Sequence, residues 1–241
     1  RQERQTNYSL CQRTNVQRIT SQGGLVDMRI RFDEQLKQLN KEMINMGTMI
    51  EESIGDAVKA LMQQDVELAQ KVMAGDEEID RTERKIEDLC LRLLLQQQPV
   101  ARDLRNISAA LKMVTDMERI GDHATDISEL AIVLSEKTYV KKLDHIEEMA
   151  RETMVMLIQS LEAYVEKDLD KAQKVIAHDD VIDDLFEEVK QELIELIRNH
   201  ADEGEQAVDL LMVTKYFERI GDHATNIAEW VIFSITGQIA G

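Results

Sequence analysis

Apolar residues recur every three or four positions along most of the chain, which is the spacing of one face of an α-helix. The first such stripe comprises Phe32, Leu36, Leu39, Met43, Met46, Ile50, Ile54, Val58 and Leu61. Asp65 is the predicted N-cap of a second helix that extends to about Gln97. A third helix is predicted to begin after Pro99 and to end near Ser135.

The same pattern returns in the second half of the chain, where helices are predicted over residues 143–166, 168–198 and 204–236. Residues that favour helix dominate the composition, and there is only 1 proline. Long helices joined by short turns pack antiparallel to their neighbours. The sequence therefore predicts an all-α protein of two tandem, internally repeated antiparallel three-helix bundles, over residues 28–137 and 138–241.

Residues 1–27 differ from the rest of the chain. They are rich in Gln, Thr, Asn, Ser and Arg, show no periodicity, and precede Met28, where the helical pattern starts. They contain no apolar core of the kind that a secretory signal needs. We interpret them as a disordered leader or as a segment derived from an expression vector. The alternative is a disordered arm that docks elsewhere.

The clearest sign of an internal repeat is the octapeptide Glu-Arg-Ile-Gly-Asp-His-Ala-Thr, which occurs at Glu118–Thr125 and, 100 residues later, at Glu218–Thr225. The preceding helices match less closely and are offset by 103 residues. A change of length is best tolerated in a loop, so turns are expected near residues 98 and 201.

Charge and cysteine content narrow the class of protein. The formal net charge of −18 opposes nonspecific nucleic-acid binding, which needs basic residues on phosphates. No apolar run reaches 18 residues, so no membrane insertion is expected. Cys11 and Cys90 have no metal-binding spacing, which favours a protein of the reducing cytoplasm.

Carboxylates gather on one face of the second and third helix of each unit. Counted from the turn near residue 98, Asp76 and Asp80 lie at about the height of Glu118 and Asp122 in an antiparallel hairpin. Converging carboxylates repel one another unless a cation intervenes, and oxygen ligands favour Mg²⁺, Ca²⁺, Mn²⁺ or Fe³⁺. The sequence therefore predicts a metal site in each unit, and the second is formed by Asp179, Asp183, Glu218 and Asp222.

Other residues of the octapeptide receive separate interpretations. Gly121 and Gly221 are expected to let a neighbouring helix or a bridging ion approach closely. His123 and His223 point ~100° away from the preceding Asp, so they are interpreted as structural or solvated rather than as ligands. The alternative for the whole acidic face is a solvated surface with ion pairs one turn apart, since 32% of the residues are charged.

Both copies of the octapeptide, each in the last helix of a three-helix unit, resemble the PhoU family of phosphate-uptake regulators. The stretch Arg102-Asp103-Leu104-Arg105 and the Asp-x-x-x-Asp pairs of the middle helices fit the same pattern. The resemblance covers about residues 28–237. It implies a cytoplasmic protein, often a homodimer or higher oligomer, that lies at the inner face of the membrane through protein partners.

The resemblance also implies ligands and partners. Family members carry multinuclear metal clusters, mainly iron, with Mn, Mg, Ca or Zn as other ions. By position, the metal-binding residues are Asp76, Asp80, Glu118, Asp122 and Asp126, with Asp179, Asp183, Glu218, Asp222 and Asn226 in the second unit. Asn226 replaces the acidic residue of the first unit, so a weaker second site is expected. The implied partners are the ATPase of a phosphate-specific ABC transporter and a phosphate-sensing histidine kinase.

Three functions are therefore considered. The first is a metal-binding regulatory adaptor, not an enzyme, that negatively controls phosphate uptake and phosphate-starvation signalling. The second is a helical carboxylate-bridged metal enzyme. It lacks a visible nucleophile and the Glu-x-x-His motif of ferritin-type di-iron sites. The third is a metal-free acidic helical scaffold for a basic partner.

Overall fold

The backbone is described over residues 2–96 and 99–238, and the side chains over 29–95 and 99–238, in a computed structural model. Six α-helices follow one another in that part of the chain. They are α1 (Gln2–Gln63), α2 (Val66–Gln96), α3 (Ala101–Leu134), α4 (Asp144–Glu166), α5 (Leu169–Asn199) and α6 (Gly204–Thr236), with a single 3-10 turn at Ala201–Glu203. Most of the predicted leader over residues 1–27 falls within the backbone range of α1, but its side chains are not described, and its interpretation stays a prediction.

The predicted all-α fold of two three-helix bundles is confirmed. Helices α1, α2 and α3 pack together, and α4, α5 and α6 repeat the arrangement. Asp65 and Asp168 open the middle helices, because their carboxylates accept hydrogen bonds from the backbone N–H groups of Leu68 and Lys171, both at 3.0 Å. The two bundles therefore start their middle helices in the same way.

Each bundle has an apolar interior formed by the stripes that the sequence shows. The first stripe, from Phe32 to Leu61, supplies fully buried residues such as Met43 and Ile50. The bundles pack against each other through α3 with α6 and through α1 with α4. At the second contact, a Cβ added to Gly47 would lie 2.2 Å from Leu161 Cδ1, so the absence of a side chain there permits the close packing of α1 on α4.

The connection between α3 and α4 is tied to both bundles. The Tyr139 hydroxyl donates to the backbone carbonyl of Leu61 at 2.7 Å, and the Val140 N–H donates to the Gln206 side chain at 3.0 Å. The predicted boundary after residue 137 falls in this connection. No helix in the described part of the chain combines the length and the apolar character needed to cross a membrane.

Candidate metal centre and inter-bundle contact

Helices α2 and α3 bring carboxylates together on the outer face of the first bundle. Burial raises the pKa of Asp76, and the negative charges of Asp122 and Asp80 raise it further. Burial likewise raises the pKa of Glu118, with Asp122 as the next contributor and Asp80 also adding. The four side chains are only partly exposed. Counting residues from the turn near residue 98 predicts that these carboxylates lie close to one another, as they do, and their mutual repulsion is the expected consequence.

Glu83 extends this face by one helical turn on α2. Burial raises the pKa of Glu83 to about 7, and the neighbouring charges of Glu118, Glu87 and Asp80 contribute in that order. A carboxyl group with such a pKa is protonated in a substantial fraction of molecules at neutral pH. The sequence shows Glu83 on the same face as Asp76 and Asp80, but neither pattern nor resemblance singles it out as part of the site.

Two arginines offset part of the negative charge. Arg84 lies 3.0 Å from Asp80, and Arg119 lies 3.0 Å from Asp122 and 3.5 Å from Glu118. Both guanidinium side chains are more than half exposed, and exposed ion pairs of this kind contribute little free energy. The first face therefore retains an excess of negative charge.

Helices α5 and α6 form the corresponding face of the second bundle. Burial raises the pKa of Asp179, followed by the charges of Asp222 and Asp183. Burial also raises the pKa of Asp222, and Glu218 raises it further, whereas the ammonium group of Lys215 acts in the opposite direction. Lys215 Nζ lies 2.5 Å from Glu218 Oε2. The second face thus has the predicted carboxylates and, in addition, a lysine that the sequence analysis did not identify.

A glycine sits at the centre of each face where two helices meet. A Cβ added to Gly121 would lie 3.2 Å from two side-chain atoms of Ile79 and 3.9 Å from Asp76 Oδ1. A Cβ added to Gly221 would lie 3.4 Å from Asp179 Oδ1 and from Ile182 Cγ2. The expected close approach of a neighbouring helix is therefore present in both bundles.

The last two predicted ligands point toward the contact between the bundles. Asp126 Oδ2 lies 3.2 Å from His123 Nδ1. The amide nitrogen of Asn226 donates to Asp116 Oδ1 across the bundle contact at 3.2 Å. Asp126 still adds to the negative potential at Asp76. Asn226, in contrast, is hydrogen-bonded to a residue of the first bundle.

The two repeated histidines meet at the contact of α3 with α6. The ring centroids of His123 and His223 are 5.6 Å apart, and that of Tyr216 is 5.5 Å from His123. His223 Nδ1 lies 2.9 Å from Asp116 Oδ1. Burial lowers the pKa of His123, which favours the neutral ring. The structural interpretation of these histidines fits their position, and Asp116, which the sequence analysis missed, is the partner of His223 across the contact.

The donor chemistry of the first face suits a hard cation, since every predicted ligand is a carboxylate oxygen. Carboxyl groups whose pKa is raised by one another are groups that a bound cation would stabilise. Among the described residues, however, no three or more His, Cys, Asp or Glu side chains are arranged as a ready-made ligand set. Metal binding would therefore require rotation of these partly exposed side chains, and the ligand assignment stays a prediction.

Comparison with known proteins matches both bundles to one kind of domain. A family model described as the PhoU domain matches residues 43–131 and again residues 146–231, so that each bundle contains one copy. This defines a class of helical protein with two such domains. The chain belongs to the PhoU family.

Relatives and solved structures agree over most of the chain. The Phosphate-specific transport system accessory protein PhoU homolog of Clostridium acetobutylicum is 39% identical over 86% of this chain and 95% of its own length. The Thermotoga maritima PhoU homolog 1 is 32% identical over 87% of this chain and 90% of its own length. The crystal structure of PhoU from Pseudomonas aeruginosa has a TM-score of 0.82 and 33% identity, and covers 86% of this chain and 100% of that chain.

Proposed function

We propose that this protein is a regulatory accessory protein of a phosphate-specific transport system and that it works as a metal-binding adaptor. The regulatory part is supported by family membership, because the relatives from Clostridium acetobutylicum and Thermotoga maritima carry the name of phosphate-specific transport system accessory proteins. They align over nearly their full length with this chain, so the likeness extends to both bundles.

The single observation that supports metal binding is the accumulation of mutually destabilising carboxylates on one face. The pKa of Glu83 is raised to about 7, and those of Asp76 and Glu118 are raised as well. A lysine at one of these positions would have balanced the negative charge. A bound multivalent cation would supply the missing positive charge. We propose a multinuclear cluster, with iron as the first candidate and Mn, Mg, Ca or Zn as others.

The bound ion would stabilise a surface that contacts partner proteins and would not take part in a reaction. The proposal assigns no catalytic step, and turnover on a phosphoester or with O₂ would contradict it. The proposed partners are the ATPase of the phosphate transporter and a phosphate-sensing histidine kinase, both reached at the cytoplasmic face of the membrane through protein contacts. The protein would act there as a homodimer or higher oligomer and would restrain phosphate uptake.

Two observations favour a second candidate, a metal-free acidic scaffold for a basic partner. No ready-made ligand set exists among the described side chains, and Arg84 and Arg119 already pair with Asp80 and Asp122. A basic segment could replace these exposed arginines. The two candidates differ in one measurable property, because only the adaptor retains metal after purification without chelator.

The metal part is tested by diffraction. Crystals soaked in Mn²⁺ or Fe³⁺ should show anomalous peaks within ~3 Å of Glu118 and Asp122, because carboxylate–metal distances are about 2.0–2.6 Å. Elemental analysis of protein purified without chelator or metal resin should give bound metal. If neither face showed an anomalous peak and the purified protein were metal-free, then the metal-binding adaptor would be rejected in favour of the metal-free scaffold.

The regulatory part is tested in the organism from which the gene comes. Deletion should raise phosphate uptake and switch on a phosphate-starvation reporter in phosphate-rich medium, and the restored gene should reverse both effects. The same deletion strain should be complemented by a variant with an exposed change on α1, which belongs to neither face, such as Lys59→Thr. Unchanged uptake and reporter signal after deletion would exclude a role as a negative regulator.

A further inference from the structure

One cation distinguishes the two carboxylate faces. Lys215 stands in α6 where the repeat places Thr115 in α3. Lys215 Nζ lies 2.5 Å from Glu218 Oε2, and the Glu218 side chain is only 17% exposed. In the first bundle, Glu118 is approached instead by Arg119, whose side chain is 56% exposed and lies 3.5 Å away. The second face thus contains a partly buried ion pair at the position where the first has a neutral residue.

The middle helices reinforce this difference. Phe186 replaces Glu83, and Lys190 replaces Glu87, at the offset of 103 residues. The ammonium groups of Lys190 and Lys215 lie 5.7 and 5.4 Å from the centroid of the Phe186 ring, within the range of cation–π attraction. A basic and aromatic group therefore occupies the second face where the first face has two glutamates.

One exchange runs in the opposite direction. Glu187 replaces Arg84 and so adds a negative charge to the second bundle. Its carboxylate is however paired with Lys190, whose Nζ lies 2.5 Å from Glu187 Oε1. The exchanges at Lys190 and Glu187 therefore cancel in net charge, and the difference that remains between the middle helices is the charge of Glu83, which Phe186 lacks.

The consequence for a metal ion follows from Coulomb's law. A cation that enters the second face meets the ammonium group of Lys215 and has to displace it from Glu218, because like charges at short range repel. A cation that enters the first face meets no lysine at Thr115 and lowers the repulsion among Asp76, Asp80 and Glu118.

We propose that Lys215 is a built-in cation that takes the place of bound metal in the second bundle, so that the first bundle alone is the high-affinity metal site of this protein. The inference rests on the metal-binding part of the proposed function. It makes the two halves of the repeat unequal: one half responds to metal, and the other stays balanced without it. Asn226 adds to this inequality, because it is neutral where Asp126 carries a charge and its amide is hydrogen-bonded to Asp116.

Reciprocal exchange of the two positions tests the inference. Wild type, Thr115→Lys, Lys215→Thr and the double exchange are stripped with chelator and titrated with Mn²⁺, and bound Mn²⁺ is located by anomalous diffraction. Wild type should bind only at the first face. Lys215→Thr should add binding at the second face with at least a tenfold lower Kd there, ~1.4 kcal/mol. Thr115→Lys should weaken Mn²⁺ binding at the first face by a similar factor, and the double exchange should move Mn²⁺ binding from the first face to the second.

Controls separate the possible failures. Lys59→Thr removes the same positive charge as Lys215→Thr, but at an exposed position on α1, and should leave Mn²⁺ binding as in wild type. Circular dichroism and melting in chelator confirm that each variant is folded, and Lys215→Met repeats the removal of charge with a longer side chain. Wild type without Mn²⁺ at either face overturns the metal part of the proposed function. Equal binding at both faces of wild type, or an unchanged second face in Lys215→Thr and Lys215→Met, overturns only the inference.

Discussion

The two bundles share an identical octapeptide, yet the surfaces built around it differ in charge. In the first bundle, on the face that α2 and α3 form, burial and the charge of Glu118 raise the pKa of Glu83, and burial and the charge of Asp122 raise the pKa of Glu118. In the second, Lys215 pairs with Glu218, and an aromatic ring replaces Glu83. The residues that decide the charge lie outside the octapeptide. Identity of a repeated motif therefore fixes the donor atoms of a site but not the charge balance that determines whether a cation is needed.

A second difference lies at the contact between the bundles. Asp116 accepts hydrogen bonds across the contact from Asn226 and faces His223, whereas Tyr216, at the equivalent position, packs on His123. The histidine is the same in both copies, but its partner across the contact is a carboxylate in one and a phenol in the other. One face of the octapeptide thus serves packing between bundles, and the adjacent face carries the carboxylates.

The largest effect is expected in the buried apolar interior to which α3 and α6 contribute. Phe217 and Met117 occupy equivalent positions, and both are fully buried. We expect Phe217→Ala to lower the free energy of unfolding by ~3–5 kcal/mol, because removal of a buried aromatic side chain leaves a large cavity. Met117→Ala should cost less, since the unbranched side chain that is removed is smaller. Chemical denaturation of both variants measures the difference.

The control is Met212→Ala, because Met212 is 41% exposed on the same helix as Phe217. It should change stability by less than ~1 kcal/mol, as surface substitutions usually do. If Phe217→Ala were no more destabilising than this control, then the packing of α6 would not depend on the buried aromatic ring.

The next effect tests whether metal stabilises the two bundles unequally. Asp80→Asn with Asp122→Asn removes two charges from the first face, and Asp183→Asn with Asp222→Asn does the same in the second. With metal at a hundredfold excess over Kd, bound ligand adds ~2.7 kcal/mol to the parent. Only the first pair should remove this gain, because Lys215 balances the second face. Melting with and without chelator measures it.

In chelator, the order should reverse for the first face. The parent then keeps unbalanced carboxylates at short range, so the Asp80→Asn and Asp122→Asn variant should melt at the higher temperature. A parent whose melting temperature does not respond to chelator, beside a variant that melts equally in both conditions, would mean that the first face is a solvated surface.

The sequence predicts the heights of the carboxylates but not all of their neighbours. Asp76 and Asp122 meet because two long helices joined by a short turn are antiparallel, and counting residues from the turn is then sufficient. The direction of Asn226 depends on which face of α6 packs against α3, and that is a property of the contact between bundles. Asp116 has no acidic counterpart in the repeat, since Tyr216 stands there, so repetition could not reveal it.

A smaller effect concerns the pH dependence of the first bundle. The pKa of Glu83 rises from 4.5 to about 7 on folding, so the folded protein holds this proton more tightly than the unfolded chain. The resulting contribution to stability is complete below about pH 4.5 and is lost as the pH rises through about 7. Glu83→Gln lacks this loss. In chelator, its melting temperature relative to the parent should therefore rise between pH ~5 and pH ~8.

The second bundle provides the contrast for this measurement. Phe186 occupies the equivalent position and does not titrate, so Phe186→Leu should keep the same offset from the parent at both pH values. The effect of Glu83→Gln should also diminish at high salt, because Glu83 is only partly buried and its neighbours act through solvent. An offset for Glu83→Gln that does not change with pH would show that this carboxyl group titrates normally.

The smallest expected effect compares the two glycines of the octapeptide. Replacement of a helical glycine by alanine favours the helix by ~1 kcal/mol when the new methyl group has room. Gly221→Ala should keep most of this gain, because its Cβ would lie 3.4 Å from Asp179 Oδ1 and 3.4 and 3.5 Å from two atoms of Ile182. Gly121→Ala should gain less or lose stability, since two atoms of Ile79 at 3.2 Å have to move. Gly55→Ala, which has no atom within 4 Å, supplies the unhindered reference. Equal gains at positions 55 and 121 would show that the packing of α2 on α3 has room for a methyl group, and that Gly121 is not what sets the spacing of the first carboxylate face.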